Sequence, residues 1–545
     1  MARRGKLVVG EPFFVPNVPV VLDRKGLGEV REGDLVVVRT GRGRARLERV
    51  LGKARDIEAV LEGLLVHTGA RARFEHYEIQ DPDLSDRVDL RDLLAFTIDP
   101  ETAEDFDDAL SVQDEDGGLR AWVHIADVSA YVPAGSRLDQ GASRRAFTTY
   151  VPGRAAPMLP PELADDRCSL RPYEDRLCVT VELPPAGEAR FYRSIIRSRA
   201  RLTYAQAERR EAAPDVAAAL ELIDRLTAAM RERRFARGAL RIETPEVNFE
   251  FDAHGGIARA WNESEPTAHR LVEELMIAAN EAVARLLSSR RRETLYRVHE
   301  RPDPLAIELL LKKLVDLDVP TPPSPEQLTP ATAAAVAAEA SERVMDLVRR
   351  AGRGREAFPA LILRSLKQAR YDSSNLGHSG LASRAYCHFT SPIRRYPDLV
   401  VHRTLLRELG VTDDPPPADL PGLAEHTSTR EREAAQVEYL ADELCLGWLL
   451  ESELFERGWD DPWEGEITGA ISSGLFVRFG EVFEGYLPAR RLAGDYFELN
   501  DLGTALVGRR GGGTFRLGDP ISVLVEKIEK AEGKVELSHA GRTRR

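Results

Sequence analysis

The sequence predicts a multidomain α+β protein in which a central mixed α/β domain lies between two small β-barrels. Three observations predict this fold class. The chain has 545 residues, which is too long for one ordinary domain. Short β-type segments separated by Gly, Pro and Asp occupy both ends of the chain. Between them, strand-like stretches are followed by long segments rich in Ala, Leu, Glu and Arg, which are typical of helices.

The elements are expected in a definite order along the chain. Short β-type segments fill residues 7–55, and strand-like stretches begin again at Val88. Helical composition follows at 204–237, 266–292, 331–350 and 423–457, and the last β-type segments begin at Trp463. We therefore expect five regions: a basic barrel at 1–55, a connector at 56–86, the central domain at 87–408, a helical connection at 409–460 and a second barrel at 461–540.

Composition and targeting signals bear on location. Hydrophobic residues make up 43% of the chain and charged residues 30%, which is typical of soluble globular domains. We find no uncharged apolar run of about 18 residues that predicts a membrane span. The basic N-terminal residues are not followed by an apolar stretch of signal-peptide length. We therefore expect a cytoplasmic protein without a membrane partner, and because nothing indicates an oligomer we expect a monomer.

The chain has four cysteines, Cys168, Cys178, Cys387 and Cys445. No two of them have the CxxC spacing of a zinc or redox site, and they are too sparse for a disulfide scaffold. They are interpreted as buried free thiols.

The charge distribution is more informative than the net charge of −13. Residues 1–55 contain 13 Lys and Arg against 6 Asp and Glu, a net charge of +7, so the remainder carries −20. A basic module joined to an acidic body fits an entry that attracts phosphate, followed by a metal-binding domain. A basic, solvated terminus without a binding role is the alternative.

Residues 96–110, FTIDPETAEDFDDAL, carry the most informative motif. Asp99, Asp105, Asp107 and Asp108 crowd together directly after an apolar, strand-like stretch. Four carboxylates held so close repel one another unless a cation neutralises them, and oxygen-only ligands favour hard cations such as Mg²⁺. Two such ions can activate a water and stabilise the leaving oxygen in phosphodiester cleavage. A calcium loop or a solvated acidic turn is the alternative, although the EF-hand spacing is absent.

The acidic motif and its neighbours resemble one known family. RVDLRDLLAFTIDPETAEDFDDALSV is similar to the signature of the ribonuclease II / ribonuclease R (RNB) family. Further stretches match in the family's order: WVHIADVSAYV, residues 145–172, ARLTY, HRLVEELMIAANEAVA, LYRVHERPDP and, at 385–403, AYCHFTSPIRRYPDLVVHR. The resemblance covers 87–408 and implies an RNB catalytic domain.

The resemblance implies an activity and a cofactor. Members of this family are processive, hydrolytic 3′-to-5′ exoribonucleases that degrade single-stranded RNA to nucleoside 5′-monophosphates in RNA turnover. By motif position, Asp99, Asp105 and Asp108 would be metal ligands, and Asp107 would be a catalytic residue that serves a second metal or the terminal ribose hydroxyl. The expected cofactor is Mg²⁺, with Mn²⁺ as the alternative.

The resemblance also implies RNA-binding residues. Arg394, in SPIRRYPD, would be the catalytic arginine near the scissile phosphate, since a guanidinium forks onto phosphate oxygens. Arg395 would contact the RNA backbone. Tyr150 would stack on a base near the 3′ end, and Tyr204 and Phe249 match other aromatic clamp positions more loosely. A core position is the alternative for Phe249, because an aromatic residue in a strand is usually buried.

Other candidate side chains are less well determined by the sequence. The family places a glutamate on the helix that follows the SPIRR motif, a position that this sequence matches poorly. Glu438 is the candidate and Glu431 the alternative, because the motif does not fix the register to within a residue. An exposed helix glutamate is the other interpretation of each. His124, His388 and His402 are interpreted as structural histidines, because zinc would require His and Cys at tight spacing.

The two ends of the chain resemble OB-type RNA-binding barrels. Residues 463–540 are similar to an S1 domain, in which Phe476 would lie on the base-stacking face. Ser473 and Pro488 stand where many S1 domains place an aromatic residue and a histidine, which argues against strong binding by this module. Residues 1–55 resemble a single cold-shock-like barrel.

Three other functions compete with the exoribonuclease. A non-catalytic RNA-binding protein would have lost part of the acidic set, yet all four aspartates, Arg394 and Tyr150 are present. A translation-associated S1 protein would not need the ordered central motifs. A DNA exonuclease is excluded only through the family, whose channel senses the ribose 2′-hydroxyl.

Overall fold

The structure is a computed structural model of the whole chain. It describes all residues except 5–6, 16–17, 24–29, 41–43, 71–73, 75–76, 80, 243–244, 264–266, 493, 512 and 542–545.

The N-terminal region contains two small antiparallel sheets and a helix. The first sheet has three strands: β1 (Ala2–Arg4), β2 (Leu7–Gly10) and β3 (Val20–Val21). The second pairs β4 (Asp34–Arg39) with β5 (Arg46–Lys53). A bridge between Leu22 and Ala45 joins the two sheets. Since residues 24–29 and 41–43 lie outside the described chain, the predicted N-terminal barrel stays a prediction.

Helix α1 (Ile57–His67) lies within the region that the sequence analysis treated as a connector. Its apolar residues Ile57, Val60, Leu61, Leu64 and Leu65 recur at helical spacing and are buried. They pack against a long C-terminal helix, so this segment is an integral part of the fold rather than a linker.

A seven-stranded mixed sheet forms the central domain. Its strands are β6 (Val88–Asp89), β7 (Phe96–Asp99), β8 (Asp108–Glu115), β9 (Gly118–Ala126), β12 (Asp175–Leu183), β13 (Arg190–Arg197) and β14 (Ala200–Thr203). They are arranged in the order β14-β7-β8-β9-β12-β13-β6. The edge pairs β14–β7 and β13–β6 are parallel, and the other pairs are antiparallel.

Three hairpins or strand pairs complete the β-structure of this domain. They are β10 (Thr149–Val151) with β11 (Arg154–Ala156), β15 (Glu246–Phe251) with β16 (Ile257–Glu263), and β17 (Tyr296–Val298) with β18 (Arg370–Asp372). Short 3₁₀ or π turns lie at Val128–Ala130, Glu162–Arg167, Ser379–Leu381 and Ala489–Arg491.

Within the described part of the chain, eight further helices precede the long C-terminal one. They are α2 (Arg137–Arg145), α3 (Tyr204–Glu208), α4 (Pro214–Ala236), α5 (Thr267–Ser289), α6 (Pro304–Asp316), α7 (Pro330–Ala351), α8 (Ala357–Ser365) and α9 (Tyr396–Glu408). Local signals explain their limits. For example, Thr329 caps α7 with Pro330 as its first residue, and Gly352 ends it in the left-handed conformation.

The C-terminal region begins with α10 (Leu420–Arg457), a helix of 38 residues. Asp419 caps it by accepting the Gly422 N–H at 2.9 Å, so the proline-rich segment before it ends where the helix starts. A closed barrel follows, made of β19 (Trp463–Ile471), β20 (Gly474–Phe479), β21 (Phe483–Pro488), β25 (Pro520–Glu529) and β26 (Lys534–His539). The small sheet β22 (Phe497–Leu499), β23 (Ala505–Gly508) and β24 (Thr514–Arg516) is inserted between β21 and β25. The predicted second barrel is thus observed.

The hydrophobic cores show how the regions hold together. One core lies between the central sheet and helices α4, α5 and α9. Another joins the C-terminal barrel to α6, α7, α8 and the end of α10. A third joins α1 to the middle of α10. Helix α10 therefore contacts the N-terminal region, the central domain and the barrel.

Several expectations about individual residues hold in the structure. All four cysteines are buried and free. His124 is buried between Ser111 and Thr180, which contact its two ring nitrogens, and His402 Nε2 contacts the carbonyl of Phe389. Within the described part of the chain, no helix is both long and apolar enough to span a membrane.

A buried ion pair on the sheet generates a stability prediction. Arg87 and Asp127 pair at 2.7 Å with side chains only 1% and 0% exposed, and Arg193 adds a second contact to Asp127 at 3.0 Å. Arg87→Ala is expected to lower the free energy of unfolding by about 3 kcal/mol, because it leaves a buried carboxylate short of a partner. Urea unfolding measures this loss. Arg91→Ala, which removes a half-exposed pair with Asp89, is the matched control and should cost less than about 1 kcal/mol. Equal losses in the two variants would contradict the argument.

Candidate active site

The acidic motif lies at one end of the central sheet. Strand β7 ends at Asp99, a loop crosses the sheet end, and β8 begins at Asp108. All four aspartates line a single cavity of about 2870 Å³. Asp99 and Asp107 are buried, and Asp105 and Asp108 are half-buried. The turn between two neighbouring strands thus brings the four carboxylates together.

Hydrogen bonds with Ser169 hold the loop that carries Asp105 and Asp107. The Ser169 hydroxyl accepts the Phe106 N–H at 3.1 Å and donates to the Glu104 carbonyl at 2.7 Å. The Leu170 N–H donates to the Phe106 carbonyl at 2.9 Å. These bonds fix a loop whose own backbone is not part of the sheet.

Asp107 connects the acidic loop to the SPIRR segment. One carboxylate oxygen accepts the Ile393 N–H at 2.9 Å, and the other lies 3.3 Å from Nε of Arg394. The Arg394 side chain is 46% exposed and faces the cavity, while that of Asp107 is 4% exposed. The structure therefore brings the two residues that were predicted to be catalytic into direct contact.

Asp398 holds the turn formed by residues 391–395. Its fully buried carboxylate accepts the Ser391 N–H at 2.8 Å and two guanidinium bonds from Arg395 at 2.7 and 3.0 Å. The Ser391 hydroxyl in turn accepts a bond from Arg394 at 3.1 Å. Arg395 lines the cavity, but its guanidinium is occupied by Asp398. The RNA contact predicted for Arg395 stays a prediction.

Tyr150 and Glu438 meet above the acidic loop. The Tyr150 hydroxyl donates to Asp105 at 2.7 Å, and the Tyr150 N–H donates to Glu438 at 2.8 Å. The side chain of Tyr150 is 40% exposed in the cavity. Glu431, the alternative position for the helix acid, instead pairs with Arg297 at 2.6 Å and does not line the cavity. The structure therefore selects Glu438 as the acid beside the site.

Tyr204 and Phe249 also lie in the cavity wall, as the sequence analysis expects of clamp residues. The parallel pairing of β14 with β7 places Thr203 beside Asp99, so Tyr204 follows directly at the site. Its ring centroid lies 5.3 Å from that of His269. Phe249 is half-buried and also packs against two hydrophobic cores.

The cavity extends beyond the aspartates in two directions. It reaches Arg39 and Arg49 of the N-terminal strands and Arg478 of the C-terminal barrel. Phe476 does not line it; its ring packs 5.5 Å from Tyr486 on the barrel. The contact predicted for Phe476 would therefore lie outside this cavity.

Burial and mutual repulsion dominate the electrostatics of the acidic residues. Burial raises the pKa of the Asp99 carboxyl, and the neighbouring charge of Asp108 raises it further. Burial also raises the pKa values of Asp107 and Asp108, although Arg394 opposes both shifts. Burial likewise raises the pKa of Glu438, against the Tyr150 N–H bond. The ionised cluster is thus costly without a positive charge beside it.

Sequence reasoning missed several residues of the site. Ser169 and Asp398 act through hydrogen bonds to backbone that no spacing reveals. Asp442 and Glu443 also line the cavity on α10, where burial raises the pKa of each carboxyl to about 7. Asp442 lies four residues after Glu438 and therefore on the same helix face, which is a signal that could have found it.

Family comparisons agree with this geometry. The family model described as "RNB domain" matches residues 87–410, which is more than half of the chain, and the model described as "S1 RNA binding domain" matches residues 460–540. The chain belongs to the RNB family. The resemblance inferred from the motifs is therefore confirmed.

Two curated relatives of this RNB protein are named ribonuclease R. The Escherichia coli protein is 34% identical over 493 residues, which cover 85% of this chain and 58% of the relative. The Aquifex aeolicus protein is 33% identical over 553 residues, covering 95% of this chain and 76% of the relative. The chain thus spans little more than half of the E. coli relative's length.

A solved structure shares the fold of this RNB protein. The Mycoplasma genitalium RNase R in complex with ribose methylated single-stranded RNA has a TM-score of 0.85 and 23% sequence identity. The likeness covers 98% of this chain and 88% of the other. The predicted α+β architecture, with an RNB domain followed by an S1 barrel, is confirmed.

Exoribonucleases of the RNB family are metal-dependent hydrolases, and the acidic residues fit a hard cation. One oxygen of Asp99 is buried without a hydrogen-bond partner, and the carboxylates supply the oxygen-only donor set that such ions prefer. As the side chains stand, no group of three or more His, Cys, Asp or Glu residues in the described part of the chain could hold a metal ion.

Metal binding generates a prediction with a readout other than activity. Mg²⁺ is expected to raise the thermal unfolding midpoint of the protein, because a ligand that binds only the folded state adds about 2.7 kcal/mol at 100 times its Kd. Asp99→Asn should be no less stable than wild type without Mg²⁺, since one repelling charge is gone, and should gain less from Mg²⁺. Asp114→Asn, at an exposed position of β8, is the matched control and should respond as wild type does. An equal Mg²⁺ response in Asp99→Asn would remove Asp99 from the metal site.

Proposed function

We propose that this protein is a processive 3′-to-5′ exoribonuclease that hydrolyses single-stranded RNA to nucleoside 5′-monophosphates. One observation carries the proposal. The four aspartates, Arg394 and Tyr150 lie in one cavity, although they come from three separate segments of the chain. These are the residue types that phosphodiester cleavage at a chain end requires. They are ligands for a hard cation, a guanidinium that binds the phosphate and an aromatic ring that stacks on the last bases.

The proposed chemistry divides its tasks among these residues. Asp99, Asp105 and Asp108 would hold Mg²⁺, with Mn²⁺ as the alternative, and Asp107 would serve a second ion or the terminal ribose. Bound divalent cations would activate the attacking water and stabilise the leaving oxygen. Arg394 has a half-exposed guanidinium that lines the cavity, where it would bind the scissile phosphate and spread the charge that builds there.

Asp107 has a positioning role as well as a chemical one. The Ile393 N–H and the Arg394 Nε hold its two oxygens, so the carboxylate and the guanidinium keep a fixed relation. A phosphate that enters between the cations and Arg394 would therefore meet both at once. Such pre-organisation lowers the cost of bringing the reacting groups together.

Tyr150 would set the position of the RNA end. Its ring is exposed in the cavity, while its hydroxyl and its backbone N–H are fixed to Asp105 and Glu438. A fixed ring stacks on any base, which suits an enzyme that does not read sequence. Tyr204 and Phe249 would add contacts farther along the cavity wall, and Arg395 and Phe476 would add weaker ones.

The flanking regions would guide the RNA toward the cavity. Arg39 and Arg49 of the N-terminal strands and Arg478 of the S1 barrel line the cavity. We propose single-stranded RNA as the partner, a monomeric state, a cytoplasmic location and a role in RNA turnover. The presence of all four aspartates in the cavity wall supports the exoribonuclease over the competing function, a non-catalytic RNA-binding protein.

A time course on 5′-labelled single-stranded RNA with a duplex block tests the proposal. Shortening from the 3′ end is expected with Mg²⁺ and not with EDTA, and the released product should be a nucleoside 5′-monophosphate. Binding without shortening, in both Mg²⁺ and Mn²⁺, would favour the non-catalytic function.

Asp107→Asn is expected to abolish cleavage, with a loss of at least about 10³-fold, because the change removes the charge that faces Arg394 and the cations. Binding of the same RNA, measured by fluorescence anisotropy in EDTA, should change little. Asp114→Asn again serves as the control, because Asp114 lies on β8 and does not line the cavity. An Asp107→Asn variant that cleaves at the wild-type rate would end its assignment as catalytic.

Two substitutions of Tyr150 test the contribution of its ring and that of its hydroxyl independently. Tyr150→Ala should lengthen the final limit product, since loss of stacking weakens binding of a short RNA by about 1–3 kcal/mol. Tyr150→Phe keeps the ring and loses only the bond to Asp105, so its limit product should stay that of wild type. Gel analysis of the product ladder at completion measures both. A ladder that Tyr150→Ala leaves unchanged would show that the ring does not anchor the RNA end.

A further inference from the structure

His388 differs from the other histidines singled out in the sequence, because it lines the catalytic cavity. It lies between Cys387 and Phe389, which are fully buried, but is itself only half-buried. Arg394 and Arg395, which follow His388 by six and seven residues, also line the cavity. The structural role that the sequence analysis gave to His388 therefore leaves its exposure to the cavity unexplained.

The hydrogen bonds of His388 use one ring nitrogen and leave the other available. Nδ1 lies 2.8 Å from the hydroxyl of Tyr371, whose side chain is buried. Throughout the described part of the chain, Nε2 has no hydrogen-bond partner, and it is not among the nitrogens sealed from solvent. In His124, by contrast, Ser111 and Thr180 occupy both nitrogens.

The Tyr371 contact determines which nitrogen carries the proton. The Tyr371 hydroxyl has no other hydrogen-bond partner among the described residues. If Nδ1 carried the proton, the buried phenol proton would have no acceptor, which is costly. When Tyr371 donates to Nδ1, both groups are satisfied and the imidazole proton lies on Nε2.

The surroundings keep the imidazole neutral. Burial lowers the pKa of His388 well below its usual range, and the positive charges of Arg395, Arg297 and Arg394 lower it further. Burial also raises the pKa of Tyr371, so that its hydroxyl stays protonated. A neutral ring with its proton on Nε2 is a hydrogen-bond donor rather than a cation or a base.

We propose that Nε2–H of His388 donates a hydrogen bond to an oxygen of the 3′-terminal nucleotide bound in the cavity. The acceptor is a phosphate oxygen or the ribose 2′-hydroxyl, which offer the same chemistry to an N–H donor. The inference rests on the proposed exoribonuclease function, because it is that function which places an RNA end beside Arg394. His388 then joins Arg394 as a residue that contacts the substrate.

Two substitutions of His388 test the contributions of its two ring nitrogens independently. His388→Asn reaches only as far as Nδ1, so it can keep the Tyr371 bond but loses the donor in the cavity. His388→Gln places an amide N–H near the position of Nε2 and keeps that donor. With 5′-labelled RNA and Mg²⁺, His388→Asn is expected to lower kcat/KM about 10- to 100-fold, while His388→Gln should lose less than about 3-fold. A residue with only a structural role would not distinguish the two variants in this direction.

Modified RNA identifies the acceptor. If the penalty of His388→Asn disappears with RNA whose last nucleotide lacks the 2′-hydroxyl, the ribose is the acceptor. If the penalty persists there but shrinks with a phosphorothioate at the last linkage, the phosphate is the acceptor. A His388→Asn variant with wild-type kcat/KM, or a penalty that neither modification changes, would overturn the proposal.

A spectroscopic measurement on the wild-type protein covers the case in which a variant fails to fold. In ¹⁵N-histidine spectra at neutral pH, His388 should show a neutral ring protonated on Nε2, and this nitrogen should shift when single-stranded RNA binds in EDTA. A ring protonated on Nδ1, or an Nε2 signal that RNA leaves in place, would overturn the proposal. A protein that shifts this signal but never shortens RNA with Mg²⁺ would instead disprove the exoribonuclease function and leave the contact standing.

Discussion

The contact of Asp107 with the turn at residues 391–395 is the constraint on which the site depends. It joins two segments nearly 290 residues apart through one backbone donor and one guanidinium. Neither segment is held in place by sheet pairing alone. Ser169 fixes the acidic loop from one side, and Asp398 fixes the SPIRR turn from the other. The carboxylate of Asp107 therefore lies between two supported loops, and its burial is compensated by the two donors that the SPIRR turn presents.

Electrostatic cost is the second theme of the site. Burial and mutual repulsion raise the pKa values of Asp99, Asp107 and Asp108, and a single nearby guanidinium offsets only part of that cost. Groups with strongly shifted pKa values cluster at functional sites. A group of carboxylates that was already stable without cations would gain less free energy from binding them. The pKa of His388 is lowered instead, because burial and the neighbouring arginines both disfavour a positive charge on its ring. The cavity thus combines carboxyls whose ionised form is costly with an imidazole whose protonated form is costly.

Much of this architecture could be predicted from the sequence, for identifiable physical reasons. Strand ends rich in aspartate, long helical segments and a β-rich C-terminal region are local patterns, and the structure bears them out. Helix α1 was missed because residues 56–86 were interpreted as a connector, although the apolar residues of this helix recur at helical spacing. The choice between Glu431 and Glu438 could not be made, because it depends on the rotation of α10 against β10. The roles of Ser169, Asp398 and His388 depend on partners distant in sequence, which spacing alone does not reveal.

Helix α10 runs without interruption for 38 residues, or roughly 57 Å at the usual rise per residue. Glu438 lies near its midpoint, α1 packs beside it, and its far end is embedded in the core of the C-terminal barrel. Because a continuous helix has a fixed rise per residue, the number of residues between Glu438 and the barrel sets the spacing between the barrel and the Tyr150 N–H. An insertion or deletion in that part of α10 would change this spacing and rotate Glu438 relative to the barrel.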